Sequence, residues 1–304
     1  MPKQTQTPSK VPSDSWTILS LIQWTSAYFE SNGIDSPRST AEILLAHILK
    51  ISRIELYLRY DQPMVSSELV RYKAFIRRRV RREPVAYIIG QKEFWSMPLI
   101  VNRQVLIPRP ETECLVELAL AEIPENPGAQ PVWVLELGTG SGAIILALAK
   151  ERPGHRYIAL DQRLEAVMVS RQNADQNGLD TAVQFICGDW FSSIQASKVQ
   201  FDLIVSNPPY IPSADIDGLQ PEVAQYEPRL ALDGGQDGLG CLKHIIKTAP
   251  AYLRPGGVLV LEIGYDQAES VVQIATRRDA YDGISVEKDF SGLSRVVRMA
   301  TKKL

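Results

Sequence analysis

Asn207-Pro208-Pro209-Tyr210 combines two fixed hydrogen-bond acceptors with a flat ring. The Asn207 side-chain oxygen and the Pro208 carbonyl both accept, and proline has no N–H to offer in their place. Such a pair can hold the two N–H bonds of an amide or an exocyclic amine, with Tyr210 as a surface for stacking. An ordinary strand-ending turn with a capping asparagine has the same composition. A second group is Gly138-Thr139-Gly140-Ser141-Gly142, whose glycines permit positive φ and close approach of backbone to a ligand. With Ala143 it satisfies G-x-G-x-x-G/A, and Asp161 stands where an acid binds ribose hydroxyls. These residues alone suit NAD and S-adenosylmethionine equally. Asp189 and Trp190 add an acid and an indole suited to an adenine, and a structural tryptophan fits there too.

Each group follows an apolar run that reads as a buried strand: 132–137, 157–161, 183–187 and 201–206. Helices are predicted between them at about 143–150 and 164–177. A further helix at about 238–253 precedes strands at 257–263, 284–290 and 295–299. The short Ser291-Gly292-Leu293-Ser294 link makes the last strand antiparallel on an otherwise parallel sheet. The fold class is therefore α/β, with seven strands. In such sheets ligands bind beyond the carboxyl ends of the strands, where all four groups lie.

Upstream, residues 15–84 read as a bundle of four short helices. Gly33 stops the first, Ser36-Pro37 opens the second, Ser52 and Glu55 have capping-box spacing, and Pro84 ends the fourth. Arg77-Arg78-Arg79-Val80-Arg81-Arg82 on that fourth helix serves either as a solvated helix end or as a patch for a partner. Residues 85–107 read as a hairpin linker, with a helix from about Pro108 to Glu122 after it. The polar, Pro-rich residues 1–14 read as a disordered tail without an apolar signal segment.

Composition excludes several classes. With 33 Lys and Arg against 35 Asp and Glu, the chain has no electrostatic footprint for nucleic acid or an anionic membrane. Three cysteines and three histidines are scattered without disulfide or metal-ligand spacing, which points to a cytoplasmic protein without a metal. No apolar run is long enough to span a bilayer.

The loop at 136–142 resembles the first motif of class I S-adenosylmethionine-dependent methyltransferases, and Asn207 to Tyr210 resembles the signature of their amino- and amide-methylating members. Three more stretches narrow the match: residues 91–95 (QKEFW), 107–113 (IPRPETE) and 227–235 (EPRLALDGG). Together they resemble the HemK/PrmC family, the peptide chain release factor glutamine N5-methyltransferases, over nearly the whole chain after the tail. The resemblance implies a Rossmann-like catalytic domain at 108–304 beside a release-factor docking bundle. It implies S-adenosyl-L-methionine contacts at Gly138, Thr139, Gly140, Ser141, Gly142, Asp161, Asp189, Trp190 and Asn207. It further implies glutamine contacts at Asn207, Pro208, Pro209 and Tyr210, with Phe94 walling the pocket and Asn207 and Pro208 carrying catalysis. Glu136 stands where many relatives have Asp, keeping the carboxylate. The expected partner is a class I peptide chain release factor as protein substrate, and a monomer is the expected state. A DNA adenine-N6 methyltransferase, which shares Asn-Pro-Pro-Tyr, is the alternative; it calls for a basic groove or a target-recognition segment that the chain does not show.

Overall fold

The computed structural model describes residues 16–128, 130–196 and 200–303, so the expected tail at 1–14 lies outside the described residues. The chain divides into two compact units at Ile89/Gly90.

The first unit is helical: α1 (Ile18–Ser31), α2 (Pro37–Leu49), α3 (Arg53–Leu58), α4 (Ser66–Val80) and α5 (Val85–Ile89). The spacing at Ser52 and Glu55 does form a capping box, with the Ser52 amide donating to Glu55 Oε2 at 2.8 Å. Ser36 makes no side-chain cap and sits at φ +48°, so α2 relies on Pro37 for its start. The core gathers Ile18, Phe29, Leu44, Leu45, Leu56 and Tyr72, the last donating its hydroxyl to the Ala41 carbonyl at 3.0 Å. α5 replaces the first half of the expected hairpin. The Pro84 carbonyl accepts the amides of Tyr87 and Ile88, and Gly90 at φ +75° stops the turn. A five-residue apolar run carries too little periodicity to separate such a turn from a strand.

The second unit opens with the hairpin β1 (Gln91–Phe94) and β2 (Met97–Ile100), then α6 (Glu113–Ala121) after a 3₁₀ turn at Pro110–Thr112. There follow β3 (Trp133–Leu137), α7 (Ala143–Glu151), β4 (Arg156–Asp161), α8 (Leu164–Gln176), β5 (Val183–Cys187) and β6 (Phe201–Ser206). The chain continues through α9 (Pro221–Ala224), α10 (Gly240–Thr248), β7 (Leu253–Glu262), α11 (Ala268–Arg277), β8 (Tyr281–Lys288) and β9 (Ser294–Thr301).

β3 to β9 form one sheet in the order β5-β4-β3-β6-β7-β9-β8, with only the last strand, β9, running against the others. This is the expected class I methyltransferase architecture. Strand order reverses between β3 and β6, so their carboxyl ends part to leave a crevice. Their register pairs Leu137 with Ser206, and the Ser206 hydroxyl locks it by donating to the Leu137 carbonyl at 2.7 Å. One core cluster fills each sheet face; α7 lies in one and α10 and α11 in the other. Phe94, Met97 and Leu99 belong to the first cluster, so the hairpin is part of this unit's core and not a linker. Among the described residues no helix is long and apolar enough to cross a membrane.

Candidate active site

β3 is buried from Val134 onward and ends in a loop that only glycine can build, since Gly138, Gly140 and Gly142 have φ of +71°, +54° and +84°. At Gly142 space is closed as well: a Cβ would lie 3.1 Å from Leu146 Cδ1 and from Ser170 Cβ. The amides of Gly138 and Thr139 both donate to the Leu160 carbonyl, at 2.8 and 2.9 Å, tying the loop to β4. Asp161 completes the brace. Its Oδ2 accepts the Gly140 amide at 2.9 Å and its Oδ1 the Arg163 amide at 3.0 Å. Each oxygen keeps a lone pair for a ribose hydroxyl. Burial raises the Asp161 pKa, and those two amides pull it back.

Glu136 lies under the loop, 1 % exposed, accepting the Thr139 hydroxyl. Burial pushes its carboxyl up to about 8, the Thr139 bond opposing and the charge of Asp161 adding. Asp189 and Trp190 reach the same cleft from the end of β5, with Trp190 held at φ +46°.

From β6, Asn207 and Pro209 line the cleft. The Asn207 Nδ2 donates to Thr112 Oγ1 at 3.3 Å, and Thr112 also lines the wall. Pro208 is buried behind them and is not among the residues that line the cleft. Tyr210 departs from expectation: it offers no stacking face to the cleft. Its hydroxyl donates to Glu262 Oε1 at 3.4 Å on β7, and its carbonyl accepts Gln267 Nε2 at 2.9 Å. The ring packs against the second core cluster, because apolar area is worth more there than at an open rim. Phe94 is a second correction. The hairpin's alternation turns it inward, 2 % exposed, to pair with Met97 in the core, away from the cleft.

Two further stretches frame the cleft. Arg109 Nη2 forms an ion pair with Glu227 Oε1, and Glu227 Oε2 accepts the Ile107 amide at 3.3 Å. This clamps residues 107–112 to residues 227–231, and Pro108, Arg109, Pro228, Leu230 and Ala231 line the opening. Burial raises the Glu227 pKa, and Arg109 opposes it. Gly234 then passes directly beneath Tyr210, where a Cβ would meet Tyr210 Cα at 2.8 Å and the Gly238 carbonyl at 2.5 Å. The Gly234-Gly235 pair thus serves close packing under the Asn-Pro-Pro-Tyr turn. Thr112, Arg109, Glu227 and Glu262 were given no role from sequence. Only the distinctive stretches 107–113 and 227–235 held a signal for the first three.

One cleft joins the glycine loop, Asp161 and Trp190 to Thr112 and Asn207. Its floor suits S-adenosylmethionine: a glycine loop that lets backbone approach a ligand, acceptors for ribose at Asp161, an indole at Trp190, and acidic groups for a cationic ligand. Among the described residues no cluster of His, Cys, Asp and Glu could hold a metal.

Comparison with known proteins agrees with this geometry. Residues 20–90 match the PrmC N-terminal domain and residues 131–273 a methyltransferase domain. The release factor glutamine methyltransferase of Geobacter sulfurreducens is 41% identical over 282 residues, covering 93% of this chain and 96% of that protein. That of Caulobacter vibrioides is 40% identical over 283 residues, covering 92% and 96%. Among solved structures, a methyltransferase from Pyrococcus furiosus shares the fold at 17% identity and a TM-score of 0.51, over 79% of this chain and all of that one.

Proposed function

The chain belongs to the release factor glutamine methyltransferases, and from that premise we propose how its cleft selects and presents the glutamine side-chain amide, N5, of a Gly-Gly-Gln loop in class I release factors. The enzyme uses S-adenosylmethionine, which supplies a methyl group on a sulfonium centre when bound over Gly138 to Gly142, Asp161, Asp189 and Trp190. Everything else falls to the chain.

A glutamine amide nitrogen is a poor nucleophile, because its lone pair is shared with the carbonyl. Asn207 Oδ1 and the Pro208 carbonyl accept its two N–H bonds and turn the lone pair toward the methyl. Catalysis is then mainly positioning, with both acceptors fixed in advance by the two prolines. The nitrogen becomes acidic as it gains its fourth bond and sheds one proton, so no strong general base is required. The carrying observation is Asn207 itself. It lines the cleft across the strand switch point from the glycine loop, with Nδ2 bound to Thr112 and Oδ1 left for the substrate. Asn207→Ala should lower kcat by about 100-fold or more while S-adenosylmethionine affinity changes little. Methylation within a few-fold of wild type would end this reading.

The helical unit is assigned to gripping the release factor outside the methylated loop. Its supports are the exposed Ile54, Tyr57 and Leu58 of α3. The arginine run contributes less than its charge suggests. Arg78 pairs with Glu83, Arg79 is buried against the Glu83 carbonyl, and Arg82 donates to the Gly33 carbonyl; Arg77 and Arg81 are exposed. The three free cysteines fit a reducing, cytoplasmic setting.

A further inference from the structure

Glu262 is a buried carboxylate that the reaction as described does not use. It ends β7 at 1 % exposure, closes no ion pair among the described residues, and its Oε2 has no hydrogen-bond partner of ordinary geometry. Its Oε1 accepts from Tyr210 at 3.4 Å, and the Thr112 hydroxyl favours the charged form without making a hydrogen bond of ordinary geometry to it. Thr112 in turn accepts Asn207 Nδ2. A buried acid is a costly filler, since glutamine would fill the same space without an ionisation to suppress.

We propose that Glu262, acting through Thr112, is a positioning residue that fixes which end of the Asn207 amide faces the substrate. This rests on the assignment of Asn207 Oδ1 as the acceptor of the glutamine N–H. An asparagine amide turned by half a rotation presents two donors in place of its acceptor, which would oppose the NH2 it must hold. A hydroxyl has one proton. While Glu262 is a carboxylate it can only accept, so it takes the proton of Tyr210 and draws that of Thr112 toward its open Oε2. Thr112 must then accept from its other neighbour, so Nδ2 points to Thr112 and Oδ1 points into the cleft. Once Glu262 is protonated, it can donate to Thr112. The hydroxyl is then free to donate to Asn207 Oδ1, and the amide can present the wrong end.

Burial pushes the Glu262 carboxyl up to about 7. Thr112, Arg295 and Tyr210 oppose this, and Glu111 adds to it. Arg295 is itself held by Asp289, while Arg109 acts on Tyr210 and Cys114 feels the Glu262 charge from α6. The active form is therefore the charged one, and kcat should rise with pH through about 7. Glu136 titrates nearby in pH but acts on cofactor affinity, so saturating S-adenosylmethionine removes its contribution.

The test compares T112V, T112S, E262Q and N207A. For each, kcat is measured at saturating S-adenosylmethionine, with the Kd for that cofactor and the Kd for the release factor in the presence of S-adenosylhomocysteine. T112V should lose about 10- to 100-fold in kcat with cofactor Kd unchanged and release-factor Kd weakened. T112S should restore both. E262Q keeps an acceptor without a titrating proton, so its kcat should be flat where wild type shows an acidic limb. T112V as active as wild type, T112S as impaired as T112V, or the same limb in E262Q would each overturn the proposal. N207A separates the two readings: if N207A is inactive while T112V is active, only this inference falls, and if N207A is active both fall. Should T112V fail to bind the cofactor, the E262Q profile decides alone.

Discussion

Replacing Glu136 by Gln should make the protein more stable and less able to bind its cofactor, with both effects growing as pH rises. The carboxyl is 1 % exposed and held up to about 8, against 4.5 for an unburied glutamate. Between those values the folded chain keeps a proton that the unfolded chain has released. Stability contributed by the protonated form is thus complete below about 4.5 and is lost as pH rises to about 8. At about 1.4 kcal/mol per pH unit, keeping this group charged costs the fold roughly 5 kcal/mol above pH 8. A buried Gln amide facing Thr139 brings its own cost of about 1–3 kcal/mol. The net gain for E136Q at pH 8.5 is therefore about 2–4 kcal/mol, on the order of 5–10 °C in Tm. At pH 5, where the native carboxyl is protonated, the amide's own cost remains and the gain should turn into a loss of about 0–2 kcal/mol. Calorimetric titration with S-adenosylmethionine in buffers of different ionisation enthalpy reads the other half. Wild type should release a proton on binding the cationic cofactor at pH 7, and E136Q should release less and bind about 10-fold or more weakly. A Tm difference that stays constant from pH 5 to 8.5, with no proton release in wild type, would refute the reasoning.

Other expectations are more local. Gly142→Ala puts a Cβ at φ +84° against Leu146 and Ser170, and should cost about 1–3 kcal/mol in urea unfolding, with cofactor affinity falling alongside; an unchanged midpoint would contradict the strain assigned there. Ile54→Glu with Leu58→Glu, adjacent on the exposed side of α3, should raise the KM for a whole release factor severalfold and leave S-adenosylmethionine Kd unchanged. Equal KM values would remove that surface from docking.

The first four strands of the sheet were legible because they are mostly apolar runs, each followed by glycine, an acid or Asn-Pro, and the last two were placed by the short Ser291–Ser294 link. That the glycine loop, Asp161 and Trp190 share one cleft was legible for a related reason: each lies at or just past the carboxyl end of a strand of one parallel sheet. What escaped was decided by contacts far apart in sequence. Asn207 meets Thr112 across 95 residues and Tyr210 meets Glu262 across 52, and no local pattern announces either. Tyr210 read as a stacking platform because its type allows it, yet packing over Gly234 and beside β7 turned it to the core. Phe94 was misjudged likewise, since the register of a four-residue hairpin decides which face a side chain takes. The α5 turn was lost to the ambiguity of a short apolar run after proline.

The central claim is that Asn207 and Pro208 hold a glutamine side-chain amide for methylation. Tandem mass spectrometry of a release factor, after incubation with S-adenosylmethionine and either wild type or N207A, tests it most directly. One added methyl is expected on the side-chain nitrogen of the glutamine in the Gly-Gly-Gln loop with wild type, and almost none with N207A. A methyl on any other atom, or equal modification by the two proteins, would contradict it.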